Sequence, residues 1–175
     1  MTTIAERAGK TRPGRLDVAG TVVRLGLAAV WFASGVIKAA DADQTWAAVH
    51  AYQVLPDALV DPVATLLPWF ELALGLLLLL GVGTRLVAVL SGVVLVLFMA
   101  GVAQAWARGL SIDCGCFGGG GEVAPGDTSY GTELLRDTGF LALAVWLIIR
   151  PRTWLALDGV LAPDDDGSSP GGGGS

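Results

Sequence analysis

Four stretches of the chain carry too few polar positions to read as surface helices. The first runs from about Val18 to Ala39, "VAGTVVRLGLAAVWFASGVIKA", broken by Arg24 and closed by Lys38. The second follows Asp61, "DPVATLLPWFELALGLLLLLG", with Asp61 suited to cap it and Pro62 suited to its first turn. The third, Leu86 to Ala103, is 18 residues long and has no charge. The fourth, Thr138 to Ile149, offers about 12 clean apolar residues. A hydrocarbon layer of ~30 Å needs ~20 helical residues. The fourth helix must therefore begin near Gly131 and bring Glu133, Arg136 and Asp137 to an interface. The third stretch has no polar face to offer water, which argues against a soluble bundle. The pattern predicts an all-α, integral membrane four-helix bundle, multi-pass in the plasma membrane with the lipid bilayer as its solvent.

Charge then orients the spans. Arg7, Lys10, Arg12 and Arg15 precede the first stretch, Arg85 follows the second, and Arg150 and Arg152 follow the fourth. These places share one side of a four-span chain, whereas Asp41, Asp43, Asp57, Asp113, Glu122 and Asp127 fall on the other. Basic loops stay cytoplasmic, so both termini are expected inside and both longer loops outside. Trp46, Tyr52, Trp106 and Tyr130 would form an outer aromatic belt, and Trp146 and Trp154 an inner one. The expected divisions are a basic N-terminus over residues 1–16, a membrane domain over 17–157 and an acidic, Gly/Ser-rich tail over 158–175. The tail has the composition of a disordered segment or an added linker. No cleavable signal peptide is expected, because the first apolar run is too long for one.

Composition narrows the functions. The chain of 175 residues is 53% hydrophobic and 15% charged, and its net charge of −5 offers no basic stripe for nucleic acid. Its two cysteines, Cys114 and Cys116, sit together in "SIDCGCFGGGGEVAPGD". In an outward loop a disulfide can persist. Gly115 would let the backbone close the very small ring. Such a ring stabilises the fold weakly, and a strained, exposed disulfide exchanges readily. A redox-active pair is therefore the favoured reading. A static disulfide, two small apolar side chains under a loop, and half of a copper(I) or zinc site stay open. His50, Met1 and Met99 are the only other soft donors, and no metal site is assigned.

Charges inside the apolar stretches are the second signal. Glu71 falls about nine residues into its helix, too deep for an isolated carboxylate. Arg24, entering from the cytoplasmic end, is its expected partner. The pair either fixes helix packing or leaves Glu71 to carry a proton. Arg136 is placed to favour a thiolate, or else to pair with Glu133 three residues before it. Lys38 is expected to snorkel to head groups. His50 reads as a solvated or capping residue in an amphipathic loop that also holds Trp46, Val49, Tyr52 and Val54. Gly101 and Ala105 form a small-xxx-small pair suited to a helix contact within or between chains.

Lys38, Tyr52-x-x-Leu55-Pro56, Pro68-Trp69-x-Glu71-x-x-x-Gly75 and Cys114-Gly-Cys-Phe-Gly118 together resemble the MauE branch of the DoxX-like membrane proteins. The resemblance covers about residues 18 to 155. It implies a four-helix membrane bundle linked to thiol redox and to a thioredoxin-like extracytoplasmic partner. MauE is associated with maturation of methylamine dehydrogenase, a step of methylamine metabolism in which many disulfides must form. DoxX relatives are linked to thiosulfate–quinone oxidoreduction, and the organisation is similar to DsbB and VKOR, which pass electrons from thiols to quinone. This chain has one cysteine pair where those two have two pairs.

The expected function is membrane-embedded thiol–disulfide exchange, a thiol–disulfide oxidoreductase activity in which Cys114 and Cys116 react. Gly115, Arg136, Glu71, Arg24, Lys38 and Tyr52 support them, and a quinone is the one cofactor considered. The alternatives are a non-catalytic membrane assembly subunit, a metal carrier, or a DoxX-like subunit of a quinone-linked oxidoreductase. Homo- or hetero-oligomers fit any of these.

Overall fold

A computed structural model of the chain describes residues 14–115, 119–124 and 126–151. Cys116, the basic segment before Gly14, and the tail with Arg152 and Trp154 lie outside the described residues. So does the boundary expected between residues 157 and 158.

The described residues form five helices and one minimal hairpin: α1 (Arg15–Ala40), α2 (Ala42–Ala51), α3 (Asp57–Leu80), α4 (Thr84–Ala107), β1 (Ile112–Asp113), β2 (Gly121–Glu122) and α5 (Tyr130–Ile149). β1 and β2 pair antiparallel, Ile112 against Glu122 and Asp113 against Gly121. The described elements are otherwise helical, as expected, and this hairpin of two-residue strands is confined to a loop. It arises where the glycine run cannot continue a helix and must reverse the chain within a few residues.

Three helices, α1, α3 and α4, are long and apolar enough to cross a membrane. Their outward faces carry bare apolar side chains, among them Val22, Leu66, Trp69, Leu86 and Leu97, as lipid-facing surfaces do. α5 has 20 residues, but Glu133, Arg136 and Asp137 in its first half keep it out of that class.

α3 begins at Asp57, one turn before the start expected at Asp61. Pro56 precedes it and Asp57 supplies an acidic first turn, so Pro62 ends up inside the helix. At the far end Gly81 adopts a left-handed conformation, and its N–H returns to Leu77 and Leu78. The expected amphipathic loop is the short helix α2, capped by the Asp41 carboxylate accepting from the Gln44 N–H at 2.9 Å.

α1 packs chiefly on α3, and α4 on α5. The α1–α3 seam is a close approach of glycines. A Cβ on Gly35 would stand 2.9 Å from the Pro68 carbonyl and 2.8 Å from Leu72, and one on Gly75 would stand 3.1 Å from Phe32. Gly75 also faces the Ala28 carbonyl. The four long helices feed one core, with Leu27, Ala28 and Trp31 from α1, Leu74 and Leu78 from α3, Val87, Ala88 and Leu95 from α4, and Ala144 and Leu147 from α5. Trp31 anchors it by donating its indole N–H to the Ser91 hydroxyl at 3.0 Å.

That seam corrects the expected Arg24–Glu71 pair. In the antiparallel register Glu71 lies level with the Phe32–Gly35 turn of α1, and Arg24 lies two turns or more away, about 12 Å along the axis. Glu71 instead accepts from Lys38 Nζ at 2.5 Å. Lys38 does not snorkel outward. It is buried, donates also to Ser34 at 2.8 Å, and lies 5.2 Å from the centre of the Phe98 ring.

Candidate functional site

A second, smaller cluster sits at the other end of α4. It joins Ala51 of α2, Val102 and Ala105 of α4, Ile112 of β1, Cys114 and Tyr130 of α5. Three features of sequence place Cys114 there. Tyr130, at the first turn of α5, donates its hydroxyl to the Leu110 carbonyl at 2.5 Å and accepts from the Ile112 N–H at 3.1 Å. One phenol thus fastens both flanks of the strand that leads into the cysteine. Tyr52, at the end of α2, donates to the Cys114 carbonyl at 3.3 Å, while Gln104 of α4 holds the Tyr52 carbonyl at 3.0 Å. The Tyr52 ring also covers Gly101, so the small pair Gly101–Ala105 is filled from within the chain.

Gly115 is the third feature. Its φ of 68° is left-handed, and a Cβ there would stand 2.8 Å from the Ala48 Cβ on α2. Gly120 meets the same methyl, and the Gln44 side-chain amide donates to the Gly120 carbonyl. The cysteine loop therefore rests on α2 through bare backbone, which explains the glycine setting better than ring closure alone.

Around Cys114 Sγ the structure gathers charge. Arg136 Nη2 lies 3.7 Å from the sulfur. The same guanidinium is held through Nε by Asp137 Oδ1 at 3.1 Å. This differs from the expected alternative pairing of Arg136 with Glu133. By turning toward the sulfur, Arg136 gives its inner N–H to the adjacent carboxylate, and Glu133 faces the loop instead. Asp113, Cys114 and Glu133 each bring a donor atom to within 4.8 Å of the others. Glu133 lies outside the three apolar spans. Burial pushes its carboxyl above the ordinary value, and the Asp113 charge adds to this, against hydrogen bonds from Cys114 and the Arg136 charge.

Of the residues singled out by sequence, Cys114, Gly115, Arg136 and Tyr52 come together. Lys38 and Glu71 make a separate buried pair, and Arg24 is buried elsewhere, in the N-terminal half of α1. The two sites are linked by packing. Phe98, which faces the Lys38 ammonium, packs against both clusters, and the Thr45 hydroxyl of α2 donates to the Lys38 carbonyl at 2.9 Å. His50 stacks on Trp46 at 4.9 Å and lies 3.9 Å from Asp57, and the Trp46 indole donates to Asp61 at 2.5 Å. Glu133 and Asp113 as companions of the thiol, Tyr130 as its clasp and Ala48 as its seat were not foreseen. Glu133 carried one signal: a carboxylate that a 20-residue helix must bring to its own boundary.

A family model described as methylamine utilisation protein MauE matches residues 16–150. Two curated relatives carry the name methylamine utilization protein MauE. That of Methylophilus methylotrophus is 37% identical over 91 residues, 51% of this chain and 48% of the relative. That of Methylorubrum extorquens is 36% identical over 104 residues, 59% of this chain and 56% of the relative. The chain thus spans about half the length of the curated relatives it matches. No solved structure matches it.

Proposed function

The chain belongs to the MauE family, and from that premise we propose that it exchanges disulfides with a thioredoxin-like protein on the extracytoplasmic side of the plasma membrane, in the service of methylamine utilisation. α5 is the fourth span in this reading. Its charged first turns lie at the outer boundary, its apolar part from Thr138 to Ile149 lies in lipid, and both termini face the cytoplasm.

The observation that carries the proposal is the Arg136 guanidinium 3.7 Å from Cys114 Sγ, steadied by a buried Asp137. A fixed cation beside a sulfur favours its thiolate and makes it a better leaving group. Cys114 itself is only 8% exposed, which suits the inner member of a pair. In the proposed cycle a partner thiolate attacks Cys116 of the Cys114–Cys116 disulfide. The S–S bond breaks, and Cys114 leaves as a thiolate facing Arg136. A second partner thiolate then attacks the mixed disulfide at the partner's own sulfur, which releases Cys116. Two electrons pass from the partner to the pair, and the reverse sequence oxidises the partner. The relative reduction potentials set the direction.

The Lys38–Glu71 pair has a supporting part in this reading. It neutralises two charges inside the apolar seam and fixes the end of α1 on which α2, and hence the loop, is built.

The test is a trapped mixed disulfide. The Cys114→Ser variant should hold an extracytoplasmic thioredoxin-like protein through Cys116, and Cys116→Ser should hold far less. Trapping through Cys114 alone reverses the assignment of the two sulfurs. No adduct with either variant, together with intact function of the double variant, removes the redox reading.

A further inference from the structure

The polar groups around Cys114 are unbalanced. Asp113, Cys114, Glu133 and Asp137 can carry negative charge, whereas among the described residues Arg136 is the one base placed with them. Glu133 is 7% exposed and Asp137 2% exposed. One oxygen of each, Glu133 Oε2 and Asp137 Oδ2, is buried with no hydrogen-bond partner among the described residues. Buried carboxylate oxygens without partners are costly, and each calls for a water, a proton or an ion to complete it. The Arg136 charge acts on Glu133, while its guanidinium donates hydrogen bonds to Asp137 and to the sulfur.

We propose that the reduced protein holds a divalent cation of the zinc class between Asp113, Cys114 and Glu133. The three donor atoms already lie within 4.8 Å of one another. In a tetrahedral zinc site, with Zn–S near 2.3 Å and Zn–O near 2.1 Å, neighbouring donors stand about 3.5 Å apart. The side chains need to close by about 1 Å, within the reach of small rotamer changes. The donor set selects the metal. One thiolate with two carboxylates is too hard for copper(I) and too soft for magnesium or calcium, and it suits zinc(II). The orphaned Glu133 oxygen becomes a ligand, and Arg136 offsets the surplus negative charge left by three anionic donors on a dication. Water completes the fourth position.

The site is specific to the dithiol, because a sulfur tied in a disulfide is no longer an anionic ligand. Metal and disulfide therefore exclude each other at Cys114. The inference needs no partner protein, so its failure leaves the exchange reading standing, and failure of that reading leaves this one testable.

The experiment uses the full chain in detergent, reduced, freed of reductant and kept anaerobic. It is titrated with Co2+ as a spectroscopic stand-in and then with Zn2+. One equivalent of Co2+ should bind with a thiolate-to-cobalt charge-transfer band, and Zn2+ should displace it. Cys114→Ser should abolish the band. Asp113→Asn and Glu133→Gln should each weaken Co2+ binding by at least about tenfold, the effect of losing even an outer-shell partner. Helical circular dichroism confirms that the variants fold. If a variant does not fold, X-ray absorption of the zinc-loaded wild type answers instead, and a mixed sulfur and oxygen shell is the expected result. The proposal is overturned by absence of saturable binding, by binding without the sulfur band, by an all-sulfur shell, or by affinity unchanged in both carboxylate variants.

Discussion

Gly115→Ala tests the seat of the cysteine loop most directly. The substitution meets two obstacles. A left-handed φ of 68° costs an L-residue about 1–2 kcal/mol. The new Cβ would also stand 2.8 Å from the Ala48 Cβ, a contact no real pair of carbons keeps, and relieving such overpacking costs about 1–3 kcal/mol. Together the loop loses about 2–5 kcal/mol of its docking free energy. Since every ~1.4 kcal/mol is tenfold in an equilibrium, the undocked population rises between about 30-fold and a few thousandfold. In a Cys116→Ser background Cys114 is the one thiol left. Because it is buried, maleimide labelling under slow-labelling conditions reads the undocked population. The second mutation separates the two costs. Ala48→Gly removes the methyl that the new Cβ strikes, and alone it weakens α2 by about 1 kcal/mol. Combined with Gly115→Ala it should restore the steric part and leave the dihedral part. The cycle should show a favourable coupling of about 1–3 kcal/mol. Additivity within about 0.5 kcal/mol would refute contact between the loop and α2 at this point.

Four further outcomes are expected. Lys38→Met or Glu71→Gln alone leaves a buried charge without its partner and should lower stability by about 3–5 kcal/mol, whereas Lys38→Met with Glu71→Leu should recover most of the loss in detergent melts. Arg136→Gln should slow maleimide modification of Cys114 and move its pH profile upward, and an unchanged profile would remove the cation from the argument. Glu133 is raised from its ordinary value of 4.5, so between that value and the folded one the folded chain binds the extra proton. Stability should therefore be full at the acid end, fall as pH rises through this window and level off above it, and Glu133→Gln should flatten the slope in melts taken across pH. Tyr130→Phe should loosen β1 by about 1–3 kcal/mol, because it orphans the buried Ile112 N–H, and hydrogen exchange at Ile112 reports it.

The apolar runs announced the spans because nothing competes with length and absence of charge in that signal. The start of α3 was less legible. Asp61-Pro62 carries the cap-and-proline signature, whereas the helix actually starts after Pro56 with no side-chain cap, and only the Asp57 charge marks its first turn. The partner of Glu71 was misplaced for a different reason. Depth along a helix can be counted from sequence, but the offset between α1 and α3 is set by where Gly35 and Gly75 let backbones touch, and no periodicity records that. Cys114, Gly115 and Arg136 were legible as residue types in a suitable setting. Glu133 was not, because it reaches the thiol across a glycine loop whose path follows no repeat.

The ion pair in the glycine seam bears on how the chain enters its bilayer. Lys38 sits near the end of α1 and Glu71 midway along α3, and a lone charge at mid-helix is one that hydrocarbon rejects by about 2.5–3.5 kcal/mol on translocon scales. Once joined, the two charges cancel at 2.5 Å. A hairpin of α1 and α3 with the pair formed therefore carries a lower cost of entering lipid than either segment carries alone.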